Sequence, residues 1–208
     1  MSRRYLRWLR VLIHVGALAP LAVLGWMAWR DQLGPVPVAA ATRLLGRYAL
    51  TLLLLSLVPT AVRILTGFGA LVRFRRTLGL YAFLYALLHF LAFAGLDYGF
   101  DLSLLVTVIS ESSREIVGLG ALLILGVLAV TSLRSLVRRL GRYWRPLHRL
   151  VYAAAALVVL HYVWNYKELR AWPTAAGAVL LLLLVVRLPP LVNLLERQRR
   201  QEKRGPTQ

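Results

Sequence analysis

Four histidines, His14, His89, His148 and His161, stand out in this 208-residue sequence because each lies in or at the edge of a long apolar stretch. An ionisable side chain in hydrocarbon is costly and marks a functional site by default. An interhelical hydrogen bond is the competing, purely structural role. Depth separates the two roles for one pair. With the stretches read as helices crossing a bilayer, His89 lies eight residues before Asp97, roughly 12 Å below the end of its helix. His161 lies six residues before Lys167, roughly 9 Å below the same side. A porphyrin between two helices needs one imidazole at the same height on each face of the iron, and imidazole is a usual axial haem ligand.

His148 precedes His161 by thirteen residues, roughly 20 Å nearer the opposite side and at the height of a second cofactor. In an ideal helix those thirteen steps leave the two rings about 140° apart in azimuth, so they share a stripe only if the helix is distorted. Arg75 stands at the corresponding height below His89, about 40° off its face. The partner of His148 on a second iron would be Arg75, Arg76, His14 or no residue at all. Guanidinium stays protonated and is a poor iron ligand, which gives these arginines a salt bridge to a haem propionate as their natural role.

The elements that must position these residues are six apolar stretches, at about 8–29, 44–65, 78–96, 116–136, 147–166 and 173–191. Each is about as long as a helix needs to cross a ~30 Å hydrocarbon core. The expected fold is an all-α integral membrane bundle of six helices forming one domain, and the first stretch reads as a span and not as a cleaved signal. Pro146 and Pro173 open spans five and six, Pro189 and Pro190 close span six, and Pro20 and Pro59 should bend spans one and two. No internal repeat is evident. Gly118, Gly120 and Gly126 have close helix packing as a sufficient explanation. Most of Trp8, Trp26, Trp29, Trp144, Trp164, Tyr166 and Trp172 read as residues of the interfacial belt.

The net charge of +18 would suggest nucleic-acid binding in a soluble chain, but its distribution gives another explanation. Assigning alternate connections to alternate sides puts twenty of the 26 basic residues on the side of the termini and six on the other. The acids are split the other way, with only Glu196 and Glu202 beside the termini. By the positive-inside rule both termini are cytoplasmic, the basic face meets anionic lipid, and no nucleic-acid partner is expected. The charged segment 196–208 is a short cytoplasmic tail. There is no cysteine, which excludes disulfides, thiolate metal sites and covalently attached haem.

The segments Leu78-Gly79-Leu80 with Tyr85-Ala86-Leu87-Leu88-His89, Trp144-Arg145-Pro146-Leu147-His148-Arg149-Leu150-Val151-Tyr152, and His161-Tyr162-Val163-Trp164 resemble the ferric-reductase-like transmembrane domain. The resemblance covers nearly the whole chain, including His14 and Gly46-Arg47. It is closest to the haem-binding membrane subunits of periplasmic protein-methionine-sulfoxide reductase systems, which lack an appended NAD(P)H and FAD domain. The wider superfamily usually puts two histidines on helix three, where this sequence has His89 and Arg75.

The resemblance implies a multi-pass protein of the bacterial inner membrane, carrying one or two haem b groups and associated with FMN. Electrons would pass from the quinone pool to a periplasmic molybdopterin-containing catalytic subunit, where the methionine sulfoxide reduction itself takes place. On this reading His89 and His161 ligate the outer haem and His148 an inner one. Tyr85, Tyr152, Tyr162 and Trp164 are candidates to support the site. The outer connection, Gly95 to Glu115, with four acids and one arginine, is the expected docking surface. A transporter or proton channel would be expected to carry acids within its spans, and every acid here lies in a connection or the tail. A structural assembly factor would have no reason to match two histidines in depth.

Overall fold

The computed structural model describes residues 3–164 and 171–194, and every regular element among them is helical. Apolar runs rich in leucine and alanine close their backbone hydrogen bonds within each helix, as a chain in lipid must. The helices are α1 (Arg3–Trp29), α2 (Pro37–Thr66), α3 (Arg75–Ala92), α4 (Leu102–Glu111), α5 (Ser113–Val130), α6 (Arg134–Leu140), α7 (Trp144–Leu147), α8 (Leu150–Trp164) and α9 (Ala171–Val185). The most extensive contacts join α2 to α3 and α5 to α8. Leu53, Leu57, Tyr85, Ala154 and Ala155 form the centre of the core. In contrast, α1 lies at the edge with little of its surface covered.

Four helical stretches are long and apolar enough to cross a membrane: 4–29, 37–66, 70–97 and 113–130. The helices from Arg134 to Leu147 and from Leu150 to Trp164 make a fifth if taken together, although they meet at a bend of 57°. The segment Pro173–Val185 is apolar but shorter than a span.

Three boundaries differ from the sequence expectation for identifiable reasons. Span four stops at Val130, because the hydroxyls of Thr131 and Ser132 turn back to the carbonyls of Val127 and Leu128 and compete for helical acceptors. The basic segment after it is the separate helix α6. Span five is broken at His148 and Arg149, so the ideal-helix azimuth between His148 and His161 does not apply. In span six, α9 ends at Val185 and helix resumes at Pro189, so the prolines open a helical turn instead of closing one. Pro20 and Pro59 do lie inside α1 and α2. Lys167, Arg170 and the charged tail lie outside the described residues.

The outer connection is structured. A π-helical turn at Phe93–Asp97 leads to α4, whose first turn is capped by Asp101 accepting from Ser103 N at 2.9 Å and Leu104 N at 3.1 Å. Those bonds, led by one from the Ser103 hydroxyl, hold the exposed Asp101 carboxyl below its ordinary value. A carboxyl depressed on folding stabilises at pH above its unfolded value, and the contribution disappears as pH falls through the folded value. Asp101→Ala should therefore speed amide exchange in the first turn of α4 at neutral pH. The wild-type protein should approach the variant's rate as pH falls below the ordinary aspartate range.

Candidate cofactor site

His89 on α3 and His161 on α8 meet near one end of the bundle, their ring centroids 6.2 Å apart and their planes at 78°. Each ring is anchored in the same way. His89 Nδ1 lies 2.8 Å from the carbonyl of Thr42, and His161 Nδ1 lies 2.9 Å from the carbonyl of Arg114. A neutral imidazole bonds a carbonyl only through its N–H, so Nδ1 carries the proton and Nε2 is the basic nitrogen. That is the usual arrangement by which a protein fixes the tautomer of a ligating histidine.

The two anchors belong to a wider correspondence between the halves of the bundle. Both hydrogen bonds connect residues 47 apart in sequence. One turn beyond each anchoring carbonyl, the histidine ring lies over a glycine. A Cβ on Gly46 would come within 3.1 Å of His89 Nδ1, and one on Gly118 within 2.7 Å of His161 Nδ1. Further along each helix a hydroxyl meets the residue at the other height, Arg75 Nη1 at 3.3 Å from Thr60 Oγ1 and His148 Nε2 at 3.3 Å from Ser132 Oγ. The pairs α2–α3 and α5–α8 are thus two versions of one unit, with Arg75 standing in the first where His148 stands in the second. No repeat was evident from sequence alone.

The paired rings line a cavity of about 610 Å³, walled by residues such as Leu50, Leu53, Ala86, Leu122, Leu125 and Val158. Arg43, Arg47 and Arg114 also line it, with Glu115 bonded to Arg114. Thr42 Oγ1 is buried without a partner at this wall. Among the described residues no three His, Cys, Asp or Glu side chains converge as a metal site. Two imidazoles therefore suit a metal that arrives with its equatorial ligands already in a macrocycle. Metal–imidazole bonds of about 2 Å on either side place the ring centres roughly 6 Å apart, which the observed separation matches. Apolar walls and an arginine-lined end also suit a porphyrin with two propionates.

His148 sits at the break between α7 and α8. Its ring stacks on Trp144 at 4.0 Å, with Nδ1 3.1 Å from Trp144 O and Nε2 near Ser132. The described residues give it Ser132 and Trp144 as neighbours, and the structure does not bring it together with a second histidine. Trp144, expected in the interfacial belt, is half-buried and donates to Thr131 O, so its task is to hold this turn. Arg75 lies over the Tyr152 ring at 5.7 Å, joined by Arg187 at 5.4 Å, a residue sequence reasoning did not single out.

Tyr85 is fully buried and donates to Ala17 O, tying α3 to α1. Tyr162 lines the cavity, whereas Trp164 is exposed. His14 bonds Tyr81, away from the paired rings. In the outer connection Asp101 serves as a helix cap and Glu115 pairs with Arg114. That leaves Asp97 and Glu111 exposed beside the apolar side chains Leu102, Leu104 and Val106.

A helical membrane bundle with facing histidines on two of its hairpins defines a class, and the sequence agrees with it. Residues 45–159 match the family described as ferric reductase like transmembrane component, and the chain belongs to that family. Within it the chain belongs to the MsrQ group. It is 43% identical over 199 residues to the protein-methionine-sulfoxide reductase heme-binding subunit MsrQ of Rhodospirillum rubrum, covering 95% of this chain and 93% of that one. It is 41% identical over 181 residues to the protein of the same name from Xanthomonas axonopodis pv. citri, covering 84% and 83%.

Proposed function

We propose that this protein holds b-type haem between His89 and His161 and carries electrons from the quinone pool to a periplasmic molybdopterin-containing methionine sulfoxide reductase. The observation that carries the reading is the 6.2 Å separation of two rings, each fixed through Nδ1. The name of the relatives, heme-binding subunit, supports it. Bound haem supplies one-electron iron chemistry. The chain's own residues orient it: the carbonyls of Thr42 and Arg114 set the imidazoles, and Gly46 and Gly118 make room for them. Arg43, Arg47 and Arg114 would take the propionates, and the leucine walls keep water out.

The bundle sits in the bacterial inner membrane with six spans and both termini cytoplasmic. Helix α8 with the bend before it serves as span five, the basic α6 and α7 lie in the cytoplasmic connection, and α9 with the helical turn after it serves as span six. The charge asymmetry of the sequence supports this orientation. The paired histidines then lie near the periplasmic face, where α4 with Asp97 and Glu111 offers the docking surface. His148 is assigned to an inner haem, with Arg75 on a propionate, on the strength of its correspondence in position to Arg75 in the other hairpin. FMN is carried as a family expectation with no residue assigned.

A reduced-minus-oxidised spectrum of the protein purified from cells supplied with haem should show a b-type α-band, and its absence would refute the reading. Haem per chain should halve in His148→Ala. An unchanged ratio would remove the inner haem while leaving the outer one in place.

A further inference from the structure

His14 differs from the other three histidines in facing outward. It is exposed on α1, a helix with little of its surface covered. Its Nδ1 lies 2.7 Å from the Tyr81 hydroxyl, and the two rings meet edge to face at 5.7 Å. Its Nε2 has no hydrogen-bond partner among the described residues. The residue is six positions beyond Trp8, roughly 9 Å inside its apolar stretch. A polar nitrogen turned toward hydrocarbon without a partner is costly. An interhelical bond from Nδ1 to Tyr81 explains half of the imidazole and leaves the other half unexplained.

We propose that the His14–Tyr81 pair is the binding site for a membrane-dissolved quinone and its hydroquinone, reached sideways from the lipid. This deepens the electron-carrier reading and rests on it. The chemistry of the pair matches a ligand whose ring oxygen alternates between carbonyl and hydroxyl. A tyrosine hydroxyl both donates and accepts, and a neutral imidazole has two tautomers. With the Tyr81 hydroxyl donating to Nδ1, Nε2 carries the proton and donates to a quinone carbonyl. With Nδ1 donating to Tyr81, Nε2 accepts from a hydroquinone hydroxyl. One pair therefore serves both forms of the ligand without moving the backbone.

The position also suits delivery to the paired histidines. Tyr81 precedes His89 by eight residues on α3, about 12 Å along the helix axis. Tyr85 lies one turn above Tyr81, with its ring 5.6 Å from that of Tyr48. Aromatic side chains thus occupy the interval between the lipid-facing pair and the cavity.

The test uses the full-length haem-loaded protein in nanodiscs, illuminated with a short-chain azido-ubiquinone and digested with trypsin. Label should be found in peptides 11–30 and 77–114 and be displaced by excess unlabelled decyl-ubiquinone. Labelling should fall about tenfold in His14→Leu and fall also in Tyr81→Phe, while His14→Gln, which keeps a hydrogen-bonding side chain, should retain part of it. The haem spectrum of each sample reports whether the bundle has folded. A normal haem band with label elsewhere, or with undiminished labelling in His14→Leu, would overturn the proposal and leave the electron-carrier reading standing. A wild-type protein without a haem band would sink that reading by itself. Cross-linking of His14 to a second copy in place of quinone would also overturn the proposal.

Discussion

Purified His89→Ala and His161→Ala variants are each expected to lose the outer haem, with haem content at that site falling at least about tenfold. Loss of even an outer-shell partner of a metal-bound histidine typically costs 10- to 100-fold in affinity, and here the ligand itself is removed. Among the described residues no third histidine lines the cavity, and Glu115 there is paired with Arg114. The cavity around the pair is walled by leucine, alanine and valine, and its cations are arginines, which remain protonated. The two variants should be equivalent, because a bis-imidazole site fails when either side is missing. His14→Ala should keep the outer haem, since that ring bonds Tyr81 and takes no part in lining the cavity. Normal haem content and spectrum in both of the first two variants would refute the assignment.

The pairing of His89 with His161 was legible because depth in a helix follows from counting residues. How the rings are held was not. The anchors are main-chain carbonyls of Thr42 and Arg114, and a carbonyl leaves no trace in the identity of its residue. The correspondence between the two hairpins was hidden for the same reason. Outside the backbone it rests on Gly46 with Gly118, the histidines themselves, Thr60 with Ser132, and Arg75 with His148, in helices otherwise filled with interchangeable apolar residues.

The number of spans was less legible than the site. Hydropathy averages over hydroxyl residues such as Thr131 and Ser132, whose bonds to the preceding turn end α5 early. It also treats Pro146 and His148 as parts of one helix, where the chain bends by 57°. Conversely, α4 lies within the stretch Gly95 to Glu115 that the sequence presents only as a connection. Its Asp101 cap and its exposed apolar side chains show a surface helix whose acids are partly engaged within the protein. The surface proposed for docking is accordingly more apolar and less acidic than composition implied.

Gly118 has helix packing as a sufficient explanation in sequence, and the structure gives it a sharper one that Gly118→Ala should expose. The added methyl would lie 2.7 Å from His161 Nδ1 and 2.8 Å from Cε1, closer than real Cβ contacts come. The imidazole is rigid, so relief requires one of two movements. The ring can swing off the carbonyl of Arg114 and lose its 2.9 Å anchor, or α5 and α8 can separate. Overpacking of this kind costs about 1–3 kcal/mol, and either movement takes Nε2 out of line with its counterpart on His89. Haem content should fall severalfold or the low-spin spectrum should shift. Gly46→Ala should do less, because its methyl would stop 3.1 Å from His89 Nδ1, a distance a few tenths of an ångström of adjustment can relieve. Gly120→Ala should match wild type, since nothing lies within 4 Å of its added Cβ. If Gly118 served only close packing of helices, Gly118→Ala would weaken the bundle without changing the spectrum of the haem that remains. A changed spectrum in Gly118→Ala beside an unchanged one in Gly120→Ala assigns the glycine to the ligand.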